Sequence, residues 1–330
     1  MARRPTQKKL YDELLARYSK EVADAFILAI QGAAAQVDMR ALASAIDAGD
    51  LARVAQLLGF DAGALFPVAD AVRSAYVAGG VSVATIAPRG AIFGFNGRHE
   101  RAEDWVAREA GRMIQGITDD TLPMIRSVVQ DGLARGRGGA AVARDITGRL
   151  NRATGRREGG FLGLTQQQSD AAIRARADLE ALDARYFTRK LRDKRYDAMV
   201  RRAIADGKPL SAADMDKITG RYRDRMAKYR GEVIARTEAA SAIAQGQREG
   251  FQQALDSGKV AGVTRRWQHN SANQQEREDH VYMGSQPAIP LDRKFTLPDG
   301  TQMDGPHDPA GGPVHNIGCR CIAIYRVQMP

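Results

Sequence analysis

Apolar residues recur at three- and four-residue spacing through "TQKKLYDELLARYSKEVADAFILAI" and again through "DMRALASAIDAGDLARVAQLLGF". That period puts them on one stripe of a helix. It predicts two or three helices between Thr6 and about Gly59, with Asp38 as a cap and Gly49 as a break. Another helix is predicted over Ala62–Val77. The next stretch, "AGGVSVATIAPRGAIFGFNGR", is rich in glycine and β-branched residues and predicts a loop or short hairpin. Its glycines lack the GK[ST] ending of a phosphate loop.

Helical spacing returns in "HERAEDWVAREAGRMIQGIT", with Trp105 on the apolar side. It continues in "DDTLPMIRSVVQDGLARG", where Asp119 and Asp120 suit a cap and first turn. "AAVARDITGRL" predicts a shorter helix, and Thr165 a cap for the helix beginning in "QQQSDAAIRA". Three more helices are expected beyond it. The last begins near Lys228 and runs through "GEVIARTEAASAIAQGQREGFQQALDSG" to a stop at Ser257 and Gly258.

After Gly262 the period changes. "VTRRWQHN" predicts a strand, "QPAIPLDRKFTLPDGTQMDGP" a hairpin around "PDG", and "RCIAIYRV" a closing strand by its alternation. The expected fold is therefore mainly α, with helical N-terminal and middle regions and a small C-terminal α+β domain. Three consecutive regions are expected: 1–150, helical; 151–227, a basic helical insert; and 228–330, a long helix plus a small sheet.

Charge changes how the middle region reads. The formal net charge is +10, and residues 151–236 alone carry +9 of it. "RYFTRKLRDKRYDAMVRR" and "RYRDRMAKYR" place cations at helical spacing with Tyr and Phe between them. Such a face can neutralise phosphates without reading sequence, which makes double-stranded DNA a candidate partner. The nucleic-acid candidates are Arg189, Lys190, Arg192, Lys194, Arg195, Arg201, Arg202, Arg221, Arg223 and Arg225. The competing reading is a solvated helical face with Arg–Asp pairs three or four residues apart, which "RDKRYD" fits. The longest apolar stretch, "AFILAIQGAAAQV", is too short to span a bilayer, and no signal-type apolar run follows the basic start.

The only two cysteines, Cys319 and Cys321, stand in "HNIGCRCI". On a strand, residues two apart point to the same face with parallel bond vectors, which disfavours a disulfide between them. Four of the five histidines, His269, His280, His307 and His315, lie in the same C-terminal region. Two thiolates with imidazoles form a zinc-type donor set, and the metal-ligand candidates are His280, Cys319 and Cys321. Zinc is the one cofactor these residues suggest. The alternative is a pair of small buried cysteines beside a hydrogen-bonded histidine. No catalytic residue is assigned.

The order of residues in this region resembles the phage head morphogenesis family, the Mu F-like minor head proteins. The resemblance runs through Arg236 and Glu238 in "IARTE", Trp267, Arg277 and His280 in "R-x-x-H", and Gly284. It continues through Phe295, Pro306 and Asp308 in "PHDP", Asn316, and Cys319–Arg320–Cys321. It covers roughly the last hundred residues, with "IARTE" expected in the first turns of the long helix. Two departures stand out. Ile317 and Gly318 are inserted before the "C-R-C", and Asn273 and Gln274 stand where the family commonly has an acidic residue.

The resemblance implies a minor head component at the portal vertex on the capsid interior, and in the host cytoplasm during assembly. Its implied partners are the portal protein, capsid or scaffold components and double-stranded DNA, with multiple copies per virion and roles in procapsid assembly and DNA packaging or delivery. Residues 1–150 become a candidate portal or capsid contact. The implied protein is not an enzyme. The alternative is a zinc-dependent hydrolase or nuclease delivered with the genome.

Overall fold

In a computed structural model of the chain, the described residues are 4–88, 94–270 and 276–330. The first helices are α1 (Gln7–Gln36), α2 (Met39–Asp47), α3 (Leu51–Leu58), α4 (Ala62–Ile86) and α5 (Glu100–Asp119). They are followed by α6 (Thr121–Ala134), α7 (Gly139–Thr147), α8 (Gln166–Glu180), α9 (Asp197–Asp206) and α10 (Ala212–Asp256). Two short helices, α11 (Glu278–Ser285) and α12 (Gly312–Asn316), lie in the C-terminal part. The strands are β1 (Arg149–Asn151), β2 (Arg156–Glu158), β3 (Gly262–Gln268), β4 (Ile289–Pro290), β5 (Phe295–Thr296), β6 (Gln302–Met303) and β7 (Ile322–Gln328). The fold is mainly α with a small C-terminal α+β part. No single helix among the described residues is long and apolar enough to cross a membrane.

Local chemistry accounts for several boundaries. Asp38 caps α2 by accepting from the N–H groups of Arg40 and Ala41. Thr165 and Gln168 form a reciprocal capping box on α8. Asp120 precedes α6 without capping it; its carboxylate accepts from Arg230 at 2.7 Å instead. Helix α10 starts at Ala212, well before the expected Lys228, so "IARTE" lies mid-helix rather than in its first turns.

Helix α4 runs on to Ile86, through the first part of the stretch expected to be a loop. Residues 89–93 of that stretch lie outside the described residues. Glycine serves packing here rather than turning. A Cβ on Gly79 would run into the Ile243 backbone, and one on Gly246 into the backbones of Tyr76 and Gly80. The helices cross at near backbone contact, which only glycine permits.

Contacts group the chain into two compact units, differently from three consecutive segments. The first comprises residues 1–23, 68–111 and 232–330; the second comprises 24–67 and 112–231. Four helices, α1, α4, α5 and α10, contribute residues to both, a pairing that local periodicity does not carry.

In the first unit the C-terminal sheet is antiparallel, in the order β4-β3-β7. One of its faces joins Val83, Phe251, Ala254, Val263, Leu291 and Tyr325 in a core. The Gln7 side chain donates to the Tyr325 carbonyl at 2.8 Å and accepts from its N–H at 2.9 Å, so one amide occupies the outer edge of β7. A second core gathers Trp267, Met283, Phe295, Leu297, Met303, Cys319 and Cys321. The hairpin β5-β6 carries Phe295 and Met303 into it, turning at Gly300 with φ +87°. In the second unit, Leu179, Tyr186, Val200 and Ile218 form a core under the basic segment.

Candidate metal centre

The cysteines sit in an extended segment just ahead of β7 rather than inside it. Both are buried, and both thiols are free. Their sulfurs converge on one imidazole: His280 Nδ1 lies 3.5 Å from Cys319 Sγ and 3.5 Å from Cys321 Sγ. His280 is on α11, whose first turn is held by Arg277, which donates to the Ile317 carbonyl at 2.6 Å. Trp267 packs edge-on against the His280 ring, with centroids 5.1 Å apart, and is itself fully buried. The donor atoms of His280, Cys319 and Cys321 all lie within 4.8 Å of one another, close enough to hold a metal ion.

These donors fit a thiophilic cation. With Zn–S near 2.3 Å and Zn–N near 2.0–2.1 Å, the S···N edge of a tetrahedral site is roughly 3.6 Å. The two 3.5 Å separations match that edge. The electrostatics favour thiolate at Cys321 and the neutral thiol at Cys319. A hydrogen bond from Cys319 is the largest cause drawing the Cys321 thiol well below its ordinary range, and the same bond together with burial pushes Cys319 up. His280, Trp267 and His269 add to the lowering of Cys321 against the opposing effect of burial. The Trp267 indole N–H acts there by proximity, since it makes no hydrogen bond of ordinary geometry.

His280 has a second neighbour. Its Nε2 is 3.3 Å from His315 Nδ1, and His315 Nε2 is 2.9 Å from Asp299 Oδ2. The rings of His280 and His315 stack with centroids 5.5 Å apart. Asp299 is held low by the Thr301 N–H first, with His315 contributing. His307 is not part of the cluster: its Nε2–H donates to the Cys321 carbonyl at 3.0 Å and its ring stacks on Tyr11. The recess over the sulfurs is lined by His269, Glu276, Arg277, His280 and Arg320 among others. It encloses about 240 Å³, including space open to solvent.

Most of the ordered residues take supporting positions here. Phe295 lies edge-on to Trp267 at 5.6 Å. Gly284 leaves room for His269, whose Cβ would be 2.8 Å from a Cβ at 284. Asp308 accepts from the N–H groups of Asp304 and Ala310, and Asn316 donates to the Asp308 carbonyl at 2.7 Å. Pro306 is buried in the same loop. Arg320 is exposed and lines the recess with its neighbouring cysteines. Arg236 is exposed and Glu238 half-buried on α10, and neither belongs to the cluster. Asn273 and Gln274 lie outside the described residues.

The basic segment folds largely onto its own acids. Arg189 pairs with Asp178 at 2.5 Å, Arg192 with Asp197 at 2.9 Å and Arg195 with Asp193 at 2.6 Å. Arg221 lies between Glu158 and Asp224, and Arg225 donates to the Arg192 carbonyl. Arg201 stacks over Phe187 at 5.0 Å and is 3.9 Å from Asp197. Arg223 is a correction to the sequence reading. It is buried, stacked on Phe161 at 4.5 Å and bonded to the Gly159 carbonyl at 2.6 Å, so it presents no charge to a phosphate. Burial pulls its pKa down to about 10. Lys190, Lys194 and Arg202 are exposed and have no side-chain partner among the described residues.

No protein-family model, no curated protein and no solved structure matches this chain.

Proposed function

We propose that this chain is a phage head-assembly protein of the minor-head type, acting at the portal vertex inside the capsid, with its C-terminal α+β part closed by a zinc ion. His280, Cys319 and Cys321 hold the ion, which supplies a cross-link between α11 and the segment entering β7. One observation carries the reading. Residues that the sequence orders across some fifty positions, from Trp267 to Cys321, meet around a single buried His/Cys/Cys cluster. Trp267 and Phe295 form its apolar wall, Gly284 clears it, and the Asp308–Asn316 bond fixes the loop before the cysteines. A signature with that convergence specifies a folded unit rather than a substrate site.

The portal partner is tested by co-expression with a portal protein and co-purification at physiological salt. Separate elution of the two sinks the assembly reading. Elemental analysis of protein purified without chelator tests the ion, with one zinc per chain expected. DNA contact is assigned to Lys190, Lys194 and Arg202, with the exposed Arg195 and Arg201 beside them.

A further inference from the structure

The register of the sheet extends past its last paired residues. Gln268 faces Ile322 across β3 and β7, so the next step outward sets His269 opposite Cys321. The side chains follow that placement: His269 Nδ1 lies 3.7 Å from Cys321 Sγ, again close to the roughly 3.6 Å edge of a tetrahedral zinc site. Gly284 is what allows it, because any side chain there would press on the His269 Cβ. His269 Nε2 is buried without a hydrogen bond, and the Glu276 carboxylate stands 3.6 Å away.

The two imidazoles are thus arranged alike. His280 turns Nδ1 to both sulfurs, and His269 turns Nδ1 to Cys321, from just outside the trio whose donors all lie within 4.8 Å of one another; each turns Nε2 toward an acceptor that ends in a carboxylate, His280 through His315 to Asp299 and His269 directly to Glu276. A histidine that gives one nitrogen to a metal must carry its proton on the other, and an acceptor there fixes both tautomer and ring plane. The chain of tautomers is consistent. His280 Nε2–H donates to His315 Nδ1, which leaves the His315 proton on Nε2 for Asp299.

We propose that His269 is the fourth ligand of the centre, that Glu276 and the His315–Asp299 pair are its positioning residues, and that the centre is a closed Cys₂His₂ site. This rests on the metal reading above and decides its character. Catalytic zinc keeps a position for water, whereas four protein ligands fill the sphere and leave a structural cross-link.

The test uses the full chain loaded with one equivalent of zinc for X-ray absorption, or of cobalt(II) for optical spectra. The expected shell is two sulfurs and two imidazole nitrogens, with the intense ligand-field bands of tetrahedral cobalt. His269→Ala should replace one imidazole by a solvent oxygen, shift those bands and weaken affinity at least tenfold in chelator competition. A wild-type shell with one imidazole overturns the proposal, as does an H269A protein with unchanged spectrum and affinity. Should H269A fail to fold, the wild-type shell decides alone. His315→Phe should cost about 10–100-fold in affinity with both sulfurs retained, and His315→Gln, which can still accept from His280, should recover part of it. Equal losses in both variants overturn the positioning role. A chain that takes up neither metal refutes the metal reading itself, an outcome distinct from a loaded site with one imidazole.

Discussion

Substitution of Gly246 by alanine separates a packing glycine from a merely tolerated one. The added methyl carbon would stand 2.9 Å from the Tyr76 carbonyl carbon and 3.0 Å from the Gly80 nitrogen. Both are backbone atoms of α4, so no rotamer change relieves the contact and the two helices must part. Overpacking of this kind costs roughly 1–3 kcal/mol. Alanine returns about 1 kcal/mol through helix propensity. Because the obstacle is backbone, the cost falls in the upper part of its range, and the net loss is about 1–2 kcal/mol. That lowers the melting temperature by roughly 2–8 °C for a body of 150–250 residues. Gly111, on α5, is the internal control. It is exposed, and a Cβ there meets nothing within 4 Å. Gly111→Ala should therefore stabilise by about 0.5–1 kcal/mol. Thermal and urea unfolding followed by circular dichroism, at constant metal content, gives both values. A G246A protein as stable as its parent would refute the backbone-contact reading of the crossing.

Three further outcomes are expected. Burial pushes the His307 pKa down to about 4 from an ordinary value near 6.5, so the folded state holds it neutral while the unfolded chain takes the proton first. Its stabilising contribution is then complete above about pH 6.5 and falls away toward pH 4, a loss of about 3 kcal/mol; His307→Asn, which tolerates the φ of +67° there, should flatten urea-unfolding stability across that window. Removing metal with a strong chelator, or changing Cys321 to serine, should raise hydrogen exchange in β3 and β7 and shift Trp267 fluorescence, and unchanged exchange speaks against a structural ion. Neutralising Lys190, Lys194 and Arg202 together should flatten the slope of log affinity for duplex DNA against log salt by up to about 2.7; Arg223→Met should leave that slope alone and cost about 1–3 kcal/mol of stability by stranding the Gly159 carbonyl.

What could be read in the sequence was what local chemistry decides. The caps at Asp38 and Thr165, the strand through Trp267, the "PDG" turn and the stop at Gly258 each depend on neighbours a few residues away. The trio of His280, Cys319 and Cys321 was legible by donor chemistry, because a chain with only two cysteines brings them to one histidine. His269, Asp299 and Glu276 were not, since their roles come from strand register and from where a turn ends. The one available signal was the place of His269 directly after the β3 strand, opposite a cysteine directly before β7. Glycine misled at residues 79 and 80: the missing Cβ of Gly79 serves a helix crossing that joins distant parts of the chain, and that of Gly80 makes room for the Phe95 ring.

The excess positive charge carries a similar lesson about composition. A net count treats every arginine as surface, yet the acids that answer it come from both near and far. Asp193 and Asp197 lie within five residues of Arg195 and Arg192, whereas Asp178 reaches Arg189 from α8 and Asp120 reaches Arg230 from the start of α6. The interleaved aromatics are engaged as well. Tyr186 is buried, and Phe187 lies between Arg192 and Arg201 at 5.8 and 5.0 Å. Asp193 is held down to about 2, chiefly by its hydrogen bond from Arg195, so that pair persists throughout the physiological range. These arginine–aspartate pairs lie around the apolar core of Leu179, Tyr186, Val200 and Ile218, and the exposed ones among them add little stability of their own. The charge open to a polyanion is then smaller than the count suggests, and it includes Lys190, Lys194 and Arg202 around α9. Under the proposed head-assembly role, a polyanion that binds there needs only modest affinity per chain and gains it from many copies.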